Sequence, residues 1–180
     1  MGKPTGYTIV LVRTGPTDWE ASGRLNGRTD LPMNAEGESA FHQAVHAFFG
    51  SPSAPEFSTI LISPEEPTQK GAAILNFGRS AKVRELEGLV NVGLGLWEGE
   101  LANQLEDRCK TAYREWIESP MRITPPQGES LIDAQERLVE AVIKGLKKAK
   151  GDHPTIAVVL RPMAWALVRA WMLEIEPGKV

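Results

Sequence analysis

Two arginines stand directly after apolar runs, where charge would sit at the end of a strand. Arg13 closes Tyr7-Thr8-Ile9-Val10-Leu11-Val12 and precedes Thr14, while Arg161 closes Thr155–Leu160 and precedes Pro162. A guanidinium offers a planar fork of donors to a phosphate or a carboxylate. Arg13 could therefore bind phosphate, or end its strand by pairing with an acid. Arg161 could supply positive charge to a site, or plug a pocket by pairing with Glu98 or another acid. The Thr14 hydroxyl is a poor nucleophile unless a base stands beside it. All three histidines fall elsewhere, His42 and His46 in a helical stretch and His153 in a turn. His42 and His46 have the i, i+4 spacing that metals use on helices, but with no third ligand nearby they read as a solvated pair. Glu85, Glu87 and Glu98 are the carboxylates that an acid role could draw on.

Strands and helices must bring these groups together. Tyr7–Arg13 reads as a buried strand, and Phe57–Ile62, Ala81–Leu86 and Thr155–Leu160 as three more. Asn34 caps a helix with Phe41, Ala44, Val45 and Phe48 on one face. Ser63, Pro64 and Glu66 give a helix start by cap, first-turn proline and capping box, with the helix running to about Phe77. Another helix is expected over about Glu100–Glu118, carrying Leu101, Leu105, Ala112, Trp116 and Ile117. Ser130 and Asp133 open one to about Lys150, and Pro162 starts a last helix to about Leu173. The alternation predicts a three-layer α/β sandwich, a mostly parallel sheet with helices on both faces, in a single domain spanning 1–180. In such sheets ligands bind beyond the C-terminal ends of the strands. That directs attention to Arg13 and Thr14, to Ser63 onward, to the loop from Gly88 and to Arg161.

Those places carry a family pattern. Leu11-Val12-Arg13-Thr14-Gly15-Pro16-Thr17-Asp18-Trp19 resembles the L-V-R-H-G-E-T-x-W signature of the histidine phosphatase (phosphoglycerate mutase-like) superfamily. Arg24 to Asn34, with Gly37, is similar to R-x-Q-G-x-x-D-x-P-L-N-x-x-G. Ile62-Ser63-Pro64, Gly95-Leu96-Trp97-Glu98-Gly99, Pro126-Gln127-Gly128-Glu129-Ser130 and Ala157–Leu160 resemble four further motifs, in the family's order. The resemblance implies phosphoryl transfer through a phosphohistidine, clamped by two arginines and a second histidine, with a carboxylic acid protonating the leaving group. Here those positions hold Thr14 for the nucleophile, Arg13 and Pro67 for the arginines, Asn91 for the acid and Arg161 for the second histidine. Only Arg13 keeps the family's residue. The resemblance also places Arg13, Thr14, Thr17, Asn26, Gly27 and Arg161 as the ligand-binding set.

The expectation is a catalytically degenerate phosphatase fold with a ligand- or partner-binding role and at most a weak anion pocket. The alternative is an active phosphomonoesterase or phosphotransferase that uses substitute residues. No cofactor or metal is implied. Arg24 and Arg28 read as solvent-facing or loop-stapling, the five tryptophans as core or loop anchors, and Cys109 as a spectator. Composition excludes other classes. Hydrophobic residues are 42% and charged residues 24%, and 20 Lys+Arg against 23 Asp+Glu leave a net charge of -3. There is no global basic surface for nucleic acid. One cysteine permits no intrachain disulfide. No apolar run approaches a membrane span or a signal peptide, so a cytoplasmic chain is expected. Family members usually continue into a further strand after the last helix. An open sheet edge is therefore expected, one that a homodimer could use.

Overall fold

A computed structural model describes residues 6–175. Its sheet has four parallel strands: β1 (Thr8–Arg13), β2 (Thr59–Ile62), β3 (Lys82–Glu85) and β4 (Thr155–Leu160), in the order β1-β4-β2-β3. The helices are α1 (Asp18–Ala21), α2 (Ala35–Gly50), α3 (Glu66–Leu75), α4 (Ala102–Arg108), α5 (Lys110–Glu118), α6 (Leu131–Leu146) and α7 (Pro162–Met172). They cover both faces of the sheet. Leu61, Ile156, Val158 and Leu160 pack with Leu138, Val142, Leu167 and Val168 of α6 and α7. Ile60, Ile62, Ala157 and Val159 pack on the other side with Ala72 and Leu75 of α3, and with Val45 and Phe48 of α2. The architecture is the α/β sandwich that the strand–helix alternation predicts. No helix among the described residues is long and apolar enough to cross a membrane.

The strands differ in how far this packing reaches. β2 and β4 are interior, and their apolar runs are buried almost throughout. Among the described residues β1 is an outer strand, so its central residues are only half-buried and its two ends are exposed. The expectation of a fully buried first strand is corrected by that edge position.

Three other local expectations change. Helix α3 begins at Glu66, not at Pro64. Its cap position is Glu65, whose carboxylate turns inward and holds the backbone extended, while Pro67 takes the first turn. Ser63 is a network residue rather than a cap. The stretch Glu100–Glu118 is two helices, broken at Cys109 (φ -126°, ψ 40°). The bend lets Leu105 and Trp116 reach the core together, with Trp116 edge-on to Trp97 at 5.7 Å, and leaves Ile117 exposed. On α2, Ala44 is exposed, and Phe49 joins Val45 and Phe48 against the sheet instead. The caps at Asn34 and Ser130 form as expected: Asn34 Oδ1 accepts from Gly37 N at 2.7 Å, and Ser130 Oγ from Asp133 N at 3.1 Å.

Candidate functional site

The register sets the site. Arg13 pairs with Leu160 across β1 and β4, and Thr14 N donates to Leu160 O at 3.0 Å. Thr14 and Arg161 therefore emerge side by side at the C-terminal strand ends. β2, which pairs with β4 on its other side, ends at Ile62, just before Ser63. Thr14, Ser63, Glu65, Thr68, Asn91 and Arg161 are all buried, an unusual concentration of polar side chains in one place.

An ion pair fills its centre. Arg161 is 1% exposed and Glu65 5%. Arg161 Nη1 donates to Glu65 Oε1 at 2.9 Å and to the Thr29 carbonyl at 3.1 Å. Glu65 Oε2 accepts from Ser63 Oγ at 2.8 Å and from Asn91 N at 3.0 Å. Thr68 ties the Ser63 hydroxyl from the other side at 2.9 Å. Arg161 is thus paired with an acid; of the expected alternatives, Glu98 or another acid, it is another, Glu65. Arg161 Nε and Nη2 and Thr14 Oγ1 are buried and make no hydrogen bond with the protein.

Asn91, which the resemblance sets where the family has its acid, is a bracket. Its Nδ2 donates to the carbonyls of Asn26 (3.2 Å) and Gly27 (3.0 Å), and its Oδ1 accepts from Ala164 N at 3.1 Å. Arg161 makes no side-chain cap for α7, so Asn91 satisfies one of that helix's open N–H groups from outside. Pro67 lies buried in the first turn of α3. Asn26 Nδ2 donates to Thr17 Oγ1, which also caps α1. The Thr17 hydroxyl and the Asn26 Nδ2 are therefore spent within the loop, while Asn26 Oδ1 is buried without a hydrogen-bond partner. Arg13 lies apart. Its guanidinium sits 5.8 Å from the Trp165 ring centroid, with Arg169 at 5.5 Å from the same ring.

A second cluster frames the loops around this centre. Glu98 accepts from the N–H groups of Arg28, Thr29 and Leu94 and from the Thr29 hydroxyl at 2.6 Å. Its carboxylate occupies space that a Cβ on Gly27 would need. Burial alone would push its pKa up, but these four donors outweigh that and hold it below the usual range. Glu129 is likewise pulled down against its burial by Arg137, by Arg28 and by Gly93 N–H. Arg137 binds it through two nitrogens at 2.8 Å, and Arg28 at 3.0 Å. Arg28 and Arg24, whose Nη1 donates to the Gly99 carbonyl at 2.7 Å, are loop staples. A groove of about 440 Å³ beside these loops is lined by Glu98, Glu129 and Asp133 against Arg28.

Glu85 and Glu87 are exposed, and Glu85 binds Gln69. His42, His46 and His153 are exposed, His153 near the N-terminal ends of β1 and β4, opposite the site, and no group of three metal-ligating side chains forms among the described residues. Trp97 and Trp116 are core residues, whereas Trp171 is exposed. Sequence reasoning missed Glu65, and with it Arg137. The one available signal for Glu65 was a buried Arg161 that must find an acid; the flanking Pro64 and Pro67 restrict where that acid can point.

Comparisons with known proteins agree with the fold. A family model described as "Histidine phosphatase superfamily (branch 1)" matches residues 9–180. Phosphoserine phosphatase 1 of Hydrogenobacter thermophilus is 21% identical over 171 residues, 95% of this chain and 78% of that protein. A probable phosphoglycerate mutase, GpmB, of Serratia proteamaculans is 27% identical over 148 residues, 82% and 67% of the two chains. Among solved structures, YhfR of Bacillus stearothermophilus superposes with a TM-score of 0.85 at 24% identity, covering 96% of this chain and 83% of the other.

Proposed function

Since the chain belongs to the histidine phosphatase superfamily, branch 1, we propose that it is a member without phosphohistidine chemistry, acting through binding rather than turnover. One observation carries this reading: the Arg161–Glu65 ion pair stands at the strand ends where the family would clamp a phosphoryl group. Phosphoryl transfer needs unpaired positive charge aimed at the equatorial oxygens. Here the buried guanidinium spends one nitrogen on a carboxylate, and that carboxylate would face an incoming phosphate with like charge. The nucleophile position offers a hydroxyl without a neighbouring histidine, and the acid position offers an amide that already holds α7. The acidic groove beside the loops adds a further barrier to anions.

What remains for an anion is Arg161 Nε and Nη2 with Thr14 Oγ1, and Arg13 outside them. Each charge-assisted bond contributes about 1.5–3 kcal/mol at best. A phosphate dissociation constant in the millimolar range, on the order of -4 kcal/mol, is expected. The names of the relatives favour a second reading, an active phosphomonoesterase or phosphotransferase with Thr14 as nucleophile. Purified protein is assayed with p-nitrophenyl phosphate beside an Arg161→Ala variant, and phosphate binding is titrated by calorimetry. The proposed reading expects equal background rates and weak binding. Steady hydrolysis that survives purification and falls in the variant would establish the second.

A further inference from the structure

Between α2 and α3, toward the C-terminal ends of both helices, lies a groove of about 480 Å³. Because α3 packs over β2 and β4, this groove lies inside the helical layer and not along the outer edge of β1. Val45, Phe49, Ile74 and Phe77 give it apolar walls, while His42, His46 and Arg79 give it donors. No carboxylate of a described residue lines it. We propose that this groove binds a small aromatic carboxylate, the ring lying against Phe77, Ile74 and Val45 and the carboxylate taken by Arg79 and His46.

The walls are in place before any ligand arrives. Phe77 follows α3 in a turn that Asn76 fixes. Asn76 Nδ2 donates to Ala81 O at 3.1 Å, its Oδ1 accepts from Ala81 N at 3.0 Å, and its carbonyl accepts from Arg79 N at 2.9 Å. Gly78, at φ 68°, permits that turn. Phe77 is thereby presented 83% exposed on a fixed backbone. Such a ring buries little in the free chain and is open to a ligand. On the α2 side, Phe49 stands edge-on to Phe48 and Phe57, and the Arg79 guanidinium lies 3.3 Å from its ring centroid. Arg79 Nη1 donates to Phe77 O at 2.9 Å. A guanidinium stacked and tethered in this way loses little freedom when it binds.

Charge selects the ligand. Arg79 Nε and Nη2 make no hydrogen bond with a described residue, and neither does the His46 ring. Glu38, one turn before His42, is held by Lys70 at 2.9 Å and lies 3.8 Å from His42 Nε2. A neutral imidazole still carries one N–H donor. The groove therefore offers a planar fork and a further donor, which suit the two oxygens of a carboxylate. A phosphate dianion fits less well. Helix α2 ends at Gly50 and α3 at Leu75, so both turn their carbonyl ends toward the groove and disfavour a second negative charge. The volume suits an organic part of about one or two rings, and is too small for a helix of a partner protein.

Titration of the full chain with naphthoate, followed by amide chemical shifts, tests the proposal. Saturable shifts are expected at Ile74, Phe77, Gly78 and Arg79, with uncharged naphthylmethanol binding at least about tenfold more weakly. Arg79→Gln should bring the two probes to within about twofold of one another. Phe77→Ala removes an exposed ring without opening the core, and should weaken naphthoate binding at least about fivefold. Shifts absent from these residues, or centred on Thr14 and Arg161 instead, overturn the proposal. So do equal binding of the two probes by the unsubstituted chain, an Arg79→Gln variant that keeps their difference, and indifference to Phe77→Ala.

Discussion

The strand-end centre and the loop frame around it solve opposite problems. The frame keeps the family's glycines and acids: Gly27 admits the Glu98 carboxylate, and Glu129 is held by Arg137 and Arg28. Its carboxylates are half-buried, richly donated to and depressed in pKa. The centre, where the family resemblance sets the reacting side chains, holds an arginine and a carboxylate whose charges cancel each other in full burial. The hydrogen bonds to Glu98 are chiefly from backbone N–H groups, so they follow from the path of the chain. The centre's pair depends on two side chains ninety-six residues apart. The loop frame and the strand-end centre are therefore written in different residues, and one can change while the other stays.

The largest expected effect breaks the centre. Glu65→Ala leaves Arg161 buried and unpaired, which costs about 3–5 kcal/mol. Replacing both partners with apolar residues, Glu65→Leu with Arg161→Met, should recover most of that loss, because a buried pair returns little beyond its own desolvation. Denaturant titration of the two singles and the double measures the coupling. Glu98→Ala in the half-exposed frame should cost less, about 1.5–3 kcal/mol. A frame substitution costing more than Glu65→Ala would reverse the comparison.

Acid separates the regions next. Glu98 and Glu129 have folded pKa values below their ordinary 4.5. A depressed carboxylate contributes stability that is present above its unfolded pKa and is lost as pH falls through the folded one. Thermal stability should therefore be level near neutrality and decline below about pH 4.5, and Glu98→Gln should flatten the decline. A profile that Glu98→Gln and Glu129→Gln leave unchanged would remove the frame from the acid response.

The smallest expected effect is on activity. On the proposed reading, Thr14→His supplies an imidazole, yet Pro67, Asn91 and Arg161 do not supply the second arginine, the acid and the second histidine that the family resemblance implies. Residues that act as a unit recover little when only one is repaired. Phosphomonoester turnover should stay at background in the single variant. Turnover near 1 s⁻¹ would mean that clamp and acid come from other groups.

Much of this frame was legible from residue spacing. The apolar runs of β2 and β4 gave interior strands, and the glycines and prolines placed the loops. Caps at Asn34 and Ser130 were readable because a cap is a local contact. The edge position of β1 was not readable, because neighbours in a sheet are set by crossover order and not by the strand's own composition. The break at Cys109 is decided by where Leu105 and Trp116 find the core. Glu65 escaped notice for the same reason: Ser63-Pro64-Glu65-Glu66 looks like a helix start, and only the distant Arg161 turns its first acid inward.

The central claim is that the strand-end centre is closed by its own ion pair. A crystal structure determined in high phosphate tests it most directly. The account predicts Glu65 and Arg161 still in contact near 2.9 Å, with any phosphate at the ends of β1 and β4 bound beside the intact pair. A phosphate seated on Arg161 and Thr14, with the Glu65 carboxylate displaced, would contradict it.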